Sequence, residues 1–252
     1  MKNQKLKIKQ QQINKAFQKV PSFSHSKLTP SIFGMNNFKR NTSSSFCVVG
    51  TGATIHDDLP VKNYETFDEQ ILKKEGSYDK HGCSTQISGL LSLNLKEMKG
   101  LCPKSDMYYA KAFDQRGEGS YNAVAASMLW GIIQEVNCII LPCEIEERYD
   151  GLYSILKQAH EANVSIVAPI SVRNKVKYEE ILYVADGSTH IKNAINMPRR
   201  NKIYTTHTDN SYVKAHGRYY KLSVTAGLLE ILKSEGIKSN KNAYETMLSY
   251  FQ

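Results

Sequence analysis

The chain is expected to fold as an α/β domain: a mostly parallel sheet with helices on both faces. Two observations predict this. Short apolar runs, such as Cys138-Ile139-Ile140-Leu141 and Val164-Ser165-Ile166-Val167-Ala168, alternate along the chain with longer stretches of helical period. That alternation is the pattern of parallel strands joined by crossover helices. The 252 residues are 41% apolar, enough to build a real core for one large α/β domain or two small ones. No stretch is long and apolar enough to span a bilayer. The basic N-terminus is not followed by an apolar signal core, so the expected location is the cytoplasm or a particle made there.

Residues 1–45 read as an arm and residues 46–252 as the folded domain. The arm holds nine Lys and Arg and no Asp or Glu, which leaves 24 basic against 24 acidic residues in the remainder. The formal charge of +9 therefore belongs to the arm, and the body is neutral by count. Ile13, Phe17 and Val20 stand at i, i+4 and i+7, a spacing that predicts a short helix, marginal alone and stopped by Pro21. Residues 21–45 are rich in Ser, Asn and Pro with scattered aromatics. Lys2, Lys5, Lys7, Lys9, Phe17, Phe23, Phe33, Phe38 and Arg40 are the residues expected to dock the arm on the body or on a neighbouring molecule. A tail of this charge would also bind polyanions in a salt-dependent way, although no nucleic-acid motif accompanies it.

The body opens with an apolar strand ending in Gly50-Thr51-Gly52. Residues 61–80 are polar and read as a loop or short helix. Asp79-Lys80-His81-Gly82 is a charged turn, and a helix is expected over 83–95, with the small residues Ser84 and Ser88 suited to packing on a sheet. A turn and a central strand follow over 100–114, then a Gly117-Glu118-Gly119-Ser120 turn and a helix over 123–136 that includes Trp130. The strand at 138–141 runs into Pro142 and three nearby glutamates, Glu144, Glu146 and Glu147. A helix over 149–162, strands over 164–168 and 178–185, a polar stretch over 186–216 and a closing helix over 240–251 complete the pattern. The five cysteines are odd in number and lack metal-ligand spacing, so free, mostly buried thiols are expected. The seven histidines form no H-x-x-x-H or H-E-x-x-H pair, and neither a metal nor a cofactor is expected.

Taken in order, these segments resemble the subtilisin family of serine peptidases. His81-Gly82-Cys83-Ser84-Thr85-Gln86 is similar to the family's H-G-T-H-V-A. Val49-Gly50-Thr51-Gly52 with His56-Asp57-Asp58-Leu59 is similar to V-x-D-T-G and H-P-D-L. Gly217-Arg218-Tyr219-Tyr220 and the residues after it, through Gly227-Leu228-Leu229, are similar to G-T-S-M-A-x-P-H-V-A-G-x-x-A-L. The resemblance covers roughly residues 45–236. It implies a subtilisin-like fold and a catalytic position for each of four residues. His81 stands at the base, Gly50 at the orienting Asp, Tyr219 at the nucleophilic Ser and Ser171 at the oxyanion-stabilising Asn. Hydrolysis of this kind needs all four functions, and only the His is kept. A thiol nucleophile at Cys83, a Tyr219–Lys221 pair, or Asp57 or Asp58 as a displaced orienter are weak substitutes. Pro142 removes an N–H at the edge that holds substrate backbone in the family. The expected function is a catalytically inactive, subtilisin-like structural or interaction subunit of a multi-subunit assembly, docked through its arm. The alternative is a divergent serine-type endopeptidase, active alone or completed by a partner.

Overall fold

A computed structural model describes residues 5–8, 16–17, 43–172, 174, 177–185, 190–197, 203–215 and 217–251. In chain order the elements are β1 (Lys5–Lys7), β2 (Ala16–Phe17), β3 (Ser45–Gly50), β4 (Asn63–Thr66), α1 (Glu69–Glu75), α2 (Cys83–Ser92), β5 (Asp106–Lys111) and β6 (Glu118–Ser120). Then follow α3 (Tyr121–Ile133), β7 (Cys138–Ile140), α4 (Asp150–Glu161), β8 (Ser165–Ile170), β9 (Ile181–Ala185), β10 (Tyr204–His207), β11 (Ser211–Lys214), α5 (Gly217–Ser234) and α6 (Asn240–Phe251).

Six parallel strands form the central sheet in the order β4-β5-β3-β7-β8-β9. In β3, Phe46, Cys47, Val48 and Val49 are all buried. A continuous apolar run is what a parallel strand covered on both faces requires. From β3 the chain goes out to β4 at the edge, returns through α1 and α2 to β5, and then crosses through α3 past β3 to β7. Both α2 and α3 pack on β3 and β5. α5 packs on α2, and α4 packs on α3. The sheet is thus covered on both sides, as the sequence predicts.

Local chemistry sets the element ends. Asp68 caps α1 by accepting from the Gln70 and Ile71 amides, and Ser120 caps α3 by accepting from the Ala123 amide. Every residue of α2 is buried, and so is every residue from Arg218 to Leu232 in α5. These two helices form a second layer of core. Ser88 and Ser92 close their hydroxyls on the Ser84 and Ser88 carbonyls, and Thr205 and Thr206 of β10 donate to the Gln86 and Thr85 carbonyls. Polar atoms in this layer are thereby satisfied where water is excluded.

Several boundaries differ from the expected ones. α2 ends at Ser92 rather than 95, because Leu93 leaves helical geometry and Asn94 bridges Lys99. The stretch 61–80 contains both a strand and a helix. The polar stretch 186–216 contains the antiparallel β10–β11 pair. Ala16–Phe17 is a strand on β11, not part of a helix. A single short helical turn has an unfavourable nucleus, and an open strand edge offers the same residues backbone partners. All five cysteines are free and buried. No helix among the described residues is long and apolar enough to cross a membrane.

Candidate functional site

In an open parallel sheet the crevice lies at the carboxyl ends of the strands, where the strand order reverses. Here that place falls around the end of β3, the start of α2, the segment after β7 and the start of α5. It gathers Gly50, His81, Cys83, Glu144, Ser171, Arg218 and Tyr219.

The turn before α2 is built on Asp79, which is 3% exposed. Its Oδ1 accepts from the Thr51 hydroxyl at 2.8 Å and from the His81 and Gly82 amides at 3.1 and 2.8 Å. Its Oδ2 accepts from the Thr85 amide at 2.9 Å and the Thr85 hydroxyl at 2.8 Å. A negative charge at a helix N-terminus is favourable, and here it also satisfies amides the helix leaves open. Asp79 grips the backbone around His81 and leaves the imidazole alone. Neither ring nitrogen of His81 has a hydrogen-bond partner among the described residues, and both are shielded from solvent. Burial lowers its pKa, against the opposing pull of the Asp79 charge. His207 of β10 lies beside this turn. Its Nδ1 meets the Thr208 hydroxyl at 2.9 Å and its buried Nε2 has no partner among the described residues. Gly82 has φ of 90°, and a Cβ there would stand 2.3 Å from the His207 Nε2. Only glycine permits both the turn and the close approach of the ring.

A Cβ on Gly50 would lie 2.4 Å from the Ser84 Oγ, which itself accepts from the Thr51 amide at 3.0 Å. The space for an orienting side chain is therefore filled. Asp57 and Asp58 are engaged elsewhere: Asp57 accepts from Asn210, and Asp58 accepts from the Tyr212 hydroxyl. Tyr219 is 1% exposed, and its hydroxyl pairs with the Cys83 thiol. Burial and this contact push the Tyr219 pKa well above the usual phenol value, and burial pushes the Cys83 thiol up as well. Neither group has the lowered pKa that activates a nucleophile. Lys221 donates to the Ala185 carbonyl at 3.1 Å, and Ser223 to the Ile87 carbonyl at 3.3 Å.

Ser171 follows β8. Its hydroxyl lies 2.6 Å from Glu144 Oε2 and 3.0 Å from Asn174 Oδ1. Glu144 Oε1 in turn accepts from Arg218 Nη2 at 2.7 Å, and both ionic side chains are nearly sealed from water. Asn174 spends its amide on the Ile145 carbonyl. The glutamates after Pro142 therefore divide. Glu144 is buried in an ion pair, while Glu146 and Glu147 are exposed.

The N-terminal segment lies on the same cleft. β1 pairs antiparallel with β6, in the register Lys5↔Ser120, Leu6↔Gly119 and Lys7↔Glu118. The Ile8 amide donates to the Gly117 carbonyl at 2.7 Å. Gly117 has φ of 75°, and a Cβ there would stand 2.7 Å from the Ile8 carbonyl oxygen and 3.3 Å from the His81 Nε2. Ile8 and His81 thus meet across one glycine. Leu6 and Ile8 are buried, Lys5 and Lys7 are exposed, and Lys7 pairs with Glu118 at 3.3 Å. Between β1 and the Glu144–Glu147 loop lies a cavity of about 380 Å³, lined in part by Lys5, Lys7, Tyr121, Glu144, Glu147 and Arg218.

Of the arm residues singled out above, Lys5 and Lys7 are placed here, and Phe17 is placed by its backbone alone. Lys2, Lys9, Phe23, Phe33, Phe38 and Arg40 lie outside the described residues. Among the described residues no group of three or more His, Cys, Asp or Glu is arranged to hold a metal. Sequence reading missed Asp79, His207 and the Glu144–Arg218 pair. Asp79 carried a signal, an acidic residue three positions before a turn glycine that opens a helix. The other two did not, since their partners are remote in sequence.

No family model matches the chain. It is 24% identical over 124 residues to the minor extracellular protease Epr of Bacillus subtilis (strain 168), an alignment that covers 48% of this chain and 19% of that protein. The chain spans less than a fifth of the length of that relative in the aligned region. This is a distant similarity to a subtilisin-like protease, confined to about half of this chain.

Proposed function

We propose that this chain is a non-catalytic, subtilisin-like domain that works as a structural or interaction subunit of a larger assembly, engaged through its basic N-terminal segment. The observation that carries the reading is Tyr219. It stands where the resemblance puts the nucleophile, it is sealed in the core, and burial with the neighbouring Cys83 thiol pushes its pKa well above the usual phenol value. The empty coordination of the His81 ring supports the same conclusion. A general base must be held by an orienting acceptor on one nitrogen and address a nucleophile with the other, and neither contact is made among the described residues. The filled space at Gly50 and the Arg218–Glu144–Ser171 network further support loss of the hydrolytic arrangement.

The basic segment supplies the interaction half of the reading. Two of its stretches form strands on the body, and its positive charge suits an acidic protein surface or a polyanion. A fluorophosphonate probe tests the catalytic half. The purified protein should remain unlabelled and should not cleave casein. Stoichiometric labelling of one serine would overturn the reading in favour of a divergent peptidase. Sedimentation of the native protein from its source tests the other half: it should run with partners, well above the 28.5 kDa of one chain.

A further inference from the structure

Resting on the reading of the chain as an assembly subunit, we propose that the groove along β6 is the receptor for the N-terminal strand of a second copy, so that copies join by exchanging β1 and Ile8. Among the described residues, the contacts that hold β1 are made by the strand itself and Ile8. Leu6 and Ile8 are buried at 4% and 0% exposure, Ile8 donates to Gly117, and Lys7 meets Glu118. None of these contacts depends on which chain supplies the strand. The groove is chemically matched to its occupant. Apolar residues at alternate positions enter it, and the lysines between them face Glu118 and the cavity shared with Glu144, Glu146 and Glu147. Gly117 permits an approach to the Ile8 backbone that any side chain would block.

The chain length allows the exchange. Residues 18–42 separate the second pairing segment from the start of the body. Extended, they span at most about 90 Å, several times the ~18 Å radius of gyration of a compact domain of this size. A tether of this kind favours its own groove over a neighbour's only on a roughly millimolar scale. Inside an assembly, where neighbours are held close, that preference is overcome. Reciprocal exchange between two copies closes a two-fold dimer, and one-way exchange makes a ring or filament.

The test uses two full-length copies with different tags, one carrying Lys7→Cys and the other Glu118→Cys. These positions face each other in the register. The Ile8–Gly117 bond makes theirs the non-hydrogen-bonded pair, with Cα atoms about 4.5 Å apart, within disulfide reach. The five native thiols are buried, so they contribute little background. After mixing at roughly millimolar concentration and mild oxidation, non-reducing electrophoresis should show a heterodimer. Its yield should rise with concentration and vanish when Leu6→Asp is added to the Lys7→Cys copy. A single chain carrying both cysteines reports the alternative. If it cross-links within itself while the mixture gives no heterodimer, the strand stays in its own groove and the proposal is overturned. If neither experiment cross-links, the strand does not occupy β6 and the proposal fails as well. Sedimentation separates this failure from that of the broader reading. An assembly without cross-linked heterodimer leaves the subunit role intact and rejects strand exchange, whereas a free 28.5 kDa species rejects both.

Discussion

At the scale of single residues, the buried histidines set how the molecule responds to acid. Burial lowers the pKa of His56, His81 and His207 from the ordinary value of 6.5. Below that value the unfolded chain binds protons that the folded chain refuses, so stability falls as pH drops and is fully present above it. Charges pull the other way at each ring: Asp58 and Asp57 at His56, Asp79 and Asp114 at His81, Asp79 and Asp209 at His207. For His81, the His207 charge reinforces burial. The urea midpoint should therefore be lower at pH 5.5 than at pH 7.5, and His207→Gln should make that dependence shallower. An unchanged midpoint across this range would show that the imidazoles are solvated. His81, Gly50, Tyr219 and Ser171 were singled out in the sequence because each sits inside a short motif. What they touch was not legible, because a motif does not state its neighbours. That Ser84 fills the space beside Gly50 follows only from helix α2 lying against β3.

At the scale of elements, the loop after β7 is tied to α5 by the Glu144–Arg218 pair, joined across 74 residues of sequence. Removing one member of a buried pair strands the other charge and costs ~3–5 kcal/mol, whereas replacing both by apolar residues is often nearly neutral. Glu144→Leu should thus lower the urea midpoint strongly, and Glu144→Leu with Arg218→Met should recover most of the loss. If the double variant is no better than the single one, Ser171 and its neighbours need the carboxylate itself. Strands announced themselves according to their burial. β3, β7 and β8 are apolar runs buried on both faces and were legible as such. β4, Asn-Tyr-Glu-Thr, lies at the sheet edge with three exposed residues, and hydrophobicity gives it no signal. β1 shows the opposite difficulty. Lys-Leu-Lys-Ile has a clean two-residue period, but it sits in a Lys-rich tail whose composition pointed to an arm, not to a strand with its own groove.

At the scale of the whole molecule, alternating strands and helices were enough to predict a covered parallel sheet. The strand order was not readable from periodicity, since it depends on where each crossover lands. That order nevertheless matters, because the chain leaves β3 for β4 on one side and later reaches β7 on the other, and the N-terminal segment lies on the crevice at the end of β3. The burial of α2 carries a further consequence, for synthesis rather than for the finished fold. The helix finds its packing partner in α5, and their joining hydrogen bond, from Ser223 to Ile87, bridges 136 residues. At ribosomal rates of about 5–20 residues per second, α2 waits on the order of 10 s before that partner emerges. Through that interval its Ile87, Leu90 and Leu91 have no cover on the side α5 will take. A nascent chain halted before residue 217 should therefore be captured by chaperones or precipitate, although every strand of the central sheet has already been made.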